Sequence, residues 1–188
     1  NILHFFLPIS FVAVSMLAAG SDLISLNQLM VDYRFFKKLF RHEFIFDDSV
    51  DDAEEVKDVL SWLHRLDLVI AQERDSEAWL EMRGMARKRL RPFAGLIENY
   101  IESYWVVARG CGYLRKRPRP EKDFVKKLHR LGGKMHRMGE IRRAESLSQS
   151  NYINAITYLR NAEILRAVEP SEKADRKDSR IYALSGER

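Results

Sequence analysis

Residues 91–111 read RPFAGLIENYIESYWVVARGC. Phe93, Leu96, Ile97, Tyr100, Ile101, Tyr104, Val107 and Cys111 recur at threes and fours, the spacing of one face of an α-helix. Pro92 suits a first helical turn, and Gly110 and Gly112 suit an end. The spacing predicts one long helix over about 93–111 and makes the chain mainly α.

Toward the N-terminus, Leu26, Leu29, Tyr33, Phe36 and Phe40 form a second stripe, which predicts a helix from Leu23 to Phe40. Between Glu43 and Asp58 lie eight carboxylates and one lysine. Ser49 and Asp52 resemble a capping box, and the acids after them suit the positive end of a helix. Val56, Val59, Leu60 and Leu63 give that helix its apolar face. Leu68–Gln72 and Ala78–Met82, joined through Asp75-Ser76, read as a short hairpin. Two helices followed by a hairpin are winged-helix-like.

Toward the C-terminus, Arg115 to Pro120 reads as a linker. Phe124, Leu128, Leu131, Met135 and Met138 form a stripe that Gly132-Gly133 weakens. Ser148 or Ser150 can cap a last helix bearing Tyr152, Ile156 and Leu159. The expected fold is mainly α, with about six helices and one short β-hairpin, winged-helix-like in part.

Residues 2–19 are almost continuously apolar. A transmembrane helix needs about 20 apolar residues, and this run is marginal, interrupted by His4, Pro8, Ser10 and Ser15. A signal peptide would carry a basic leader, although Ala18, Ala19 and Gly20 resemble a cleavage site. The preferred reading is a buried or membrane-apposed helix that continues from an upstream domain. Three segments follow from these readings: 1–22 as that apolar helix, 23–166 as a helical domain, and 167–188 as a disordered polar tail.

The 188 residues are 46% hydrophobic and 31% charged, which suits one globular domain with a core. The net charge of +5 favours anionic partners without choosing among them. From Arg109 to Arg143 there are thirteen lysines and arginines against three acids. This run is a solvated face, or a contact for anionic headgroups, or a partner for the acidic segment near Asp51. Cys111 is the only cysteine, which excludes an internal disulfide and a four-cysteine zinc site.

His42 and Asp47 have the histidine–aspartate spacing that many acyltransferases use for proton abstraction. No glycine-rich or arginine-bearing segment follows them, so we read the pair as a chance match. His64, His129 and His136 lack carboxylate or cysteine partners at ligand spacing. The sequence carries no phosphate-cradling loop, metalloprotease helix or nucleophile elbow. We therefore expect no catalytic, cofactor-binding or metal-binding residue within this chain.

Two segments carry a resemblance. Asn1-Ile2-Leu3-His4-Phe5-Phe6-Leu7-Pro8 resembles the stretch just after the catalytic domain of the membrane-bound glycerol-3-phosphate acyltransferases, a family that includes the dihydroxyacetone-phosphate acyltransferases. Gly139-Glu140-Ile141, Glu145-Ser146-Leu147-Ser148 and Asn151-Tyr152-Ile153-Asn154-Ala155 are similar to a pattern near that family's C-terminus. Arg91-Pro92-Phe93, Tyr100 and Tyr104 to Ala108 fit the helix between. The resemblance covers roughly residues 1–166, and its four acyltransferase motifs would lie upstream of Asn1.

The resemblance implies a C-terminal part, inactive alone, of an enzyme that moves an acyl group from acyl-CoA or acyl carrier protein to glycerol 3-phosphate in phospholipid biosynthesis. It also implies membrane association at the cytoplasmic face and packing against the protein's own upstream catalytic domain, through an apolar seam that this domain covers. No cofactor is expected. The alternatives are a winged-helix-like nucleic-acid-binding module or a non-catalytic helical interaction protein. Asp51, Asp52, Glu54, Glu55 and Asp58 disfavour nucleic acid, because a recognition helix beside phosphates should be basic.

Overall fold

The computed structural model describes residues 2–47, 49–115, 117–168 and 180–185. The chain divides into two compact units, one ending at Ile97 and the other starting at Glu98. Among the described residues there are seven α-helices and two small three-stranded antiparallel sheets.

The first unit is built around its apolar opening. A 3-10 turn, Ile2–Phe6, leads into α1, Leu7–Ala18, with Pro8 in the first turn. Helix α1 is apolar on nearly all sides, so it must be covered on nearly all sides. It packs against α2, Leu26–Leu39, α3, Asp52–Arg65, and α4, Ala86–Gly95. Phe11, Val12, Ala13 and Met16 are fully buried. Ser10 and Ser15 interrupt the apolar run at little cost, because their hydroxyls donate to the carbonyls of Phe6 and Phe11 at 2.7 and 2.9 Å. The 12-residue helix is about 18 Å long, and a bilayer's hydrocarbon core is about 30 Å. No helix among the described residues is long and apolar enough to cross a membrane. The seam expected along α1 is thus filled by this unit's own residues.

Three features of the unit differ from the sequence reading. Leu23–Ser25 is a strand, β1, rather than the start of the helix. It pairs with β3, Glu77–Met82, and Ser25 then caps α2 by accepting from the Gln28 amide at 3.1 Å. The cap of α3 is Asp51, whose carboxylate accepts from the Ala53 amide at 3.0 Å, while Ser49 bonds to Asp47. The long helix over 93–111 is two helices. Pro92 lies inside α4, and Leu96-Ile97 separate it from α5, Glu98–Gly110. A proline past the first turn removes one helical hydrogen bond and weakens the turn behind it.

The hairpin is as expected. Strand β2, Val69–Arg74, pairs with β3 through Asp75 and Ser76, both at positive φ, as a two-residue hairpin turn requires. The sheet order is β1-β3-β2. The winged-helix likeness is not shown. What the structure shows is a hairpin widened to three strands by β1.

The second unit packs α5 against α6, Glu121–Arg137, and α7, Gln149–Asn161. Gly110 and Gly132 sit where these elements meet. A methyl group on Gly132 would lie 2.5 Å from the Tyr152 hydroxyl oxygen and 2.8 Å from Leu147. A methyl on Gly110 would overlap the Leu128 side chain. Ser148 caps α7, as the sequence suggested, by accepting from the Asn151 amide at 3.3 Å. Strand β4, Arg119–Pro120, ends the stretch read as a linker. The sheet order is β4-β6-β5, with β5 at Leu165–Val168 and β6 at Ile181–Leu184. Residues 180–185 correct the expected tail. They carry a strand whose Tyr182 is buried and donates to Glu121 at 2.5 Å. Of that tail, 169–179 and 186–188 lie outside the described residues.

Candidate functional surfaces

The first unit holds a clamp built by His4. The Ile45 amide donates to His4 Nε2 at 3.3 Å, and the imidazole stands edge-on to Phe44 at 5.8 Å. An accepting Nε2 places the proton of a neutral ring on Nδ1, which is buried without a hydrogen-bond partner among the described residues. The motif histidine at position 4 therefore anchors the loop after α2.

His42 and Asp47 are not brought together. The Asp47 carboxylate accepts from the amide and the hydroxyl of Ser49 at 2.9 and 2.6 Å, which holds its carboxyl below the usual range. Burial and the neighbouring Arg41 pull the His42 imidazole down. The Asp47 carboxylate is thus engaged by Ser49.

The acidic segment pairs with α2. Lys37 Nζ reaches Asp52 at 2.7 Å and Glu55 at 2.8 Å, and Arg34 stands 3.6 Å from Asp52. The Tyr33 hydroxyl donates to Glu55 at 3.0 Å. Burial pulls the Lys37 ammonium down, but its bonds to Asp52 and Glu55 outweigh this and raise it. Burial raises the Tyr33 hydroxyl, and Glu55 adds to the rise. This network ties α2 to α3 and leaves no carboxylate pair poised for a metal. Among the described residues no three potential ligands stand together.

An apolar face lies beside the network. Phe5, Phe6, Pro8, Val59, Trp62 and Phe93 line a groove of about 510 Å³ bordered by Glu55 and Asp58. Trp62 meets Phe93 edge-on at 5.9 Å, and Phe6 lies 6.4 Å from the same ring. Phe5 is 84% exposed. Leu66 and Met85 extend the face along the far side of Trp62 and Phe93. Single exposed apolar residues are ordinary, but a contiguous aromatic cluster marks a contact surface.

In the second unit the two C-terminal motif segments close onto α5. Glu102 accepts from the Arg142 and Arg143 amides at 2.7 and 2.9 Å and from the Ser146 hydroxyl at 2.6 Å. Ser103, fully buried, donates toward Asn99 and Ser146 carbonyls at 2.7 and 2.9 Å and accepts from Asn151 Nδ2 at 3.3 Å. Glu98 holds Arg143 at 2.8 Å, and Arg109 pairs with Glu140. The segment 140–151 is thus laced to one face of α5. Sequence reasoning found Ser146, Ser148 and Asn151 but missed Glu102, since a lone acid in a helix carries no signature of a partner forty residues away.

Burial pushes the Cys111 thiol up to about 11, which makes it a poor nucleophile at neutral pH. His64 Nδ1 lies 3.2 Å from the Val69 carbonyl, and His129 packs on the Tyr152 ring at 5.0 Å. These histidines are structural contacts rather than an assembled site.

No curated protein matches the chain significantly. The model of the glycerol-3-phosphate acyltransferase C-terminal region matches residues 1–168, from the His4 clamp through the latched motif segments to the end of β5. The chain belongs to this family, whose intact proteins are acyltransferases.

Proposed function

We propose that this chain is the non-catalytic C-terminal part of an enzyme that transfers an acyl group from acyl-CoA or acyl carrier protein to glycerol 3-phosphate in phospholipid biosynthesis. In this reading the chemistry belongs to the acyltransferase domain of the same protein. The chain's role is to hold that domain in its active arrangement at the cytoplasmic face of a membrane. Family membership supports the reaction class. Asp47 is engaged by the amide and hydroxyl of Ser49, which is consistent with a proton-abstracting pair outside these residues.

The observation that carries the docking role is the aromatic face of Phe5, Phe6, Trp62 and Phe93. A partly exposed tryptophan braced by a neighbouring ring is the kind of anchor that dominates protein contacts. The test is co-purification of the acyltransferase domain with a tagged copy of this chain. Retention by the native chain and its loss in Trp62→Ser/Phe93→Ser, with an unchanged circular dichroism spectrum, is the expected result. Equal retention by both would remove this face from the account.

A further inference from the structure

Helix α6 carries a line of cations that the fold does not use. Lys122, Lys126, Arg130, Lys134 and Arg137 follow one another at steps of four, four, four and three, and all five are exposed. Steps of four and three keep side chains on one helical face. The line runs about 22 Å at 1.5 Å rise per residue. The opposite face is buried through Phe124, Val125, Leu128, Gly132 and Met135, which fixes the orientation of the stripe toward solvent.

The stripe differs from Arg109 and Arg143 of this unit. Arg109 is paired with Glu140 and Arg143 with Glu98. None of the five has an ion-pair partner among the described residues. Helix α6 has two acids, both in its first turn: Glu121, which accepts from the Tyr182 hydroxyl, and the exposed Asp123, three residues before Lys126, so the line beyond Lys126 carries cations alone. Three successive like-charge neighbours at steps of four destabilise a helix. A sequence that keeps them in a row, unneutralised, has a use for the field they make. The next step of four beyond Lys134 is Met138, 62% exposed, so the line ends in an apolar group.

We propose that this face of α6 is a docking surface for an anionic bilayer. The cations would lie among acidic headgroups, and Met138 would enter the acyl boundary. The choice of a bilayer over another polyanion rests on the reading above, that the intact protein makes an acylated product. The line itself does not. A row of charges confined to one side of a helix, with an apolar end, fits a planar headgroup surface.

The test is sedimentation of the full chain with vesicles, which reads α6 without reading acyl transfer. Phosphatidylcholine vesicles are compared with vesicles containing one-third phosphatidylglycerol, over a salt series. Each cation near an acidic surface changes binding about fivefold. Lys126→Gln/Arg130→Gln should therefore bind anionic vesicles about 25-fold more weakly, while Lys57→Gln/Arg65→Gln, with the same loss of charge in the first unit, should bind as the native chain does. Both variants should keep the native circular dichroism melt. Binding should also fall as salt rises, since the charges are exposed. Equal weakening by both variants, binding indifferent to phosphatidylglycerol, or tighter retention by duplex DNA than by vesicles at the same salt would each overturn the proposal.

Discussion

At the scale of single residues, two side chains hold backbone segments in place. His4 accepts from the Ile45 amide, and Glu102 accepts from two consecutive amides of the 140–151 segment. These bonds tie exposed loop backbone to ring or carboxylate acceptors, and losing one costs about 0.5–1.5 kcal/mol. Cys111 is a poor nucleophile at neutral pH. Its thiol is raised from 9.0 to about 11 by burial, so the thiolate is scarce until the solution is strongly alkaline. The sign is fixed: a raised thiol pKa lowers reactivity at every pH below it. Iodoacetamide labelling at pH 8 should run about 100-fold slower than for an unperturbed cysteine, and should keep rising with pH beyond 9. A labelling rate that levels off near pH 9 would show an exposed, ordinary thiol.

At the scale of elements, the two adjacent glycines of α6 have opposite roles. Helix propensity alone favours alanine over glycine by roughly 1 kcal/mol at either position. Gly133 has room, since a methyl there would lie 3.6 Å from the Arg137 guanidinium. Gly132 has none, because Tyr152 and Leu147 already occupy the space. Overpacking of about 1–3 kcal/mol should exceed the propensity gain at 132. Thermal unfolding should therefore show Gly133→Ala raised and Gly132→Ala lowered relative to the native chain. Two shifts of the same sign would contradict the close approach of α6 and α7.

The helices read correctly from the sequence were those whose stripe begins and ends with the helix, as α6 and α7 do. Periodicity could not see the break at Leu96-Ile97, because apolar residues continue across it at helical spacing. Nor could it see β1, three residues long, whose pairing partner β3 lies more than fifty positions away. The strand at Ile181–Leu184 was not read either, because four residues amid polar neighbours carry too little periodicity. Of the functional surfaces, the basic run of the second unit was visible as composition. Its division into paired arginines and an unpaired line on α6 was not, because the pairing acids Glu98 and Glu140 come from other elements.

At the scale of the whole molecule, the chain belongs to the glycerol-3-phosphate acyltransferase C-terminal region. The expectation was of an apolar seam covered by the upstream catalytic domain. Helix α1 is enclosed by α2, α3 and α4, while the uncovered apolar surface lies just ahead of it, at Phe5 and Phe6, and on Trp62 and Phe93. An interface there needs aromatic anchors more than area, and these four rings supply them.

The most direct measurement is transfer of a labelled acyl group from acyl-CoA to glycerol 3-phosphate, assayed for this chain alone, for the acyltransferase domain alone, and for the two together. The account predicts background for the chain alone and a rate for the mixture above that of the acyltransferase domain by itself. Acylated product from the chain alone, or a mixture no faster than the acyltransferase domain, would contradict it.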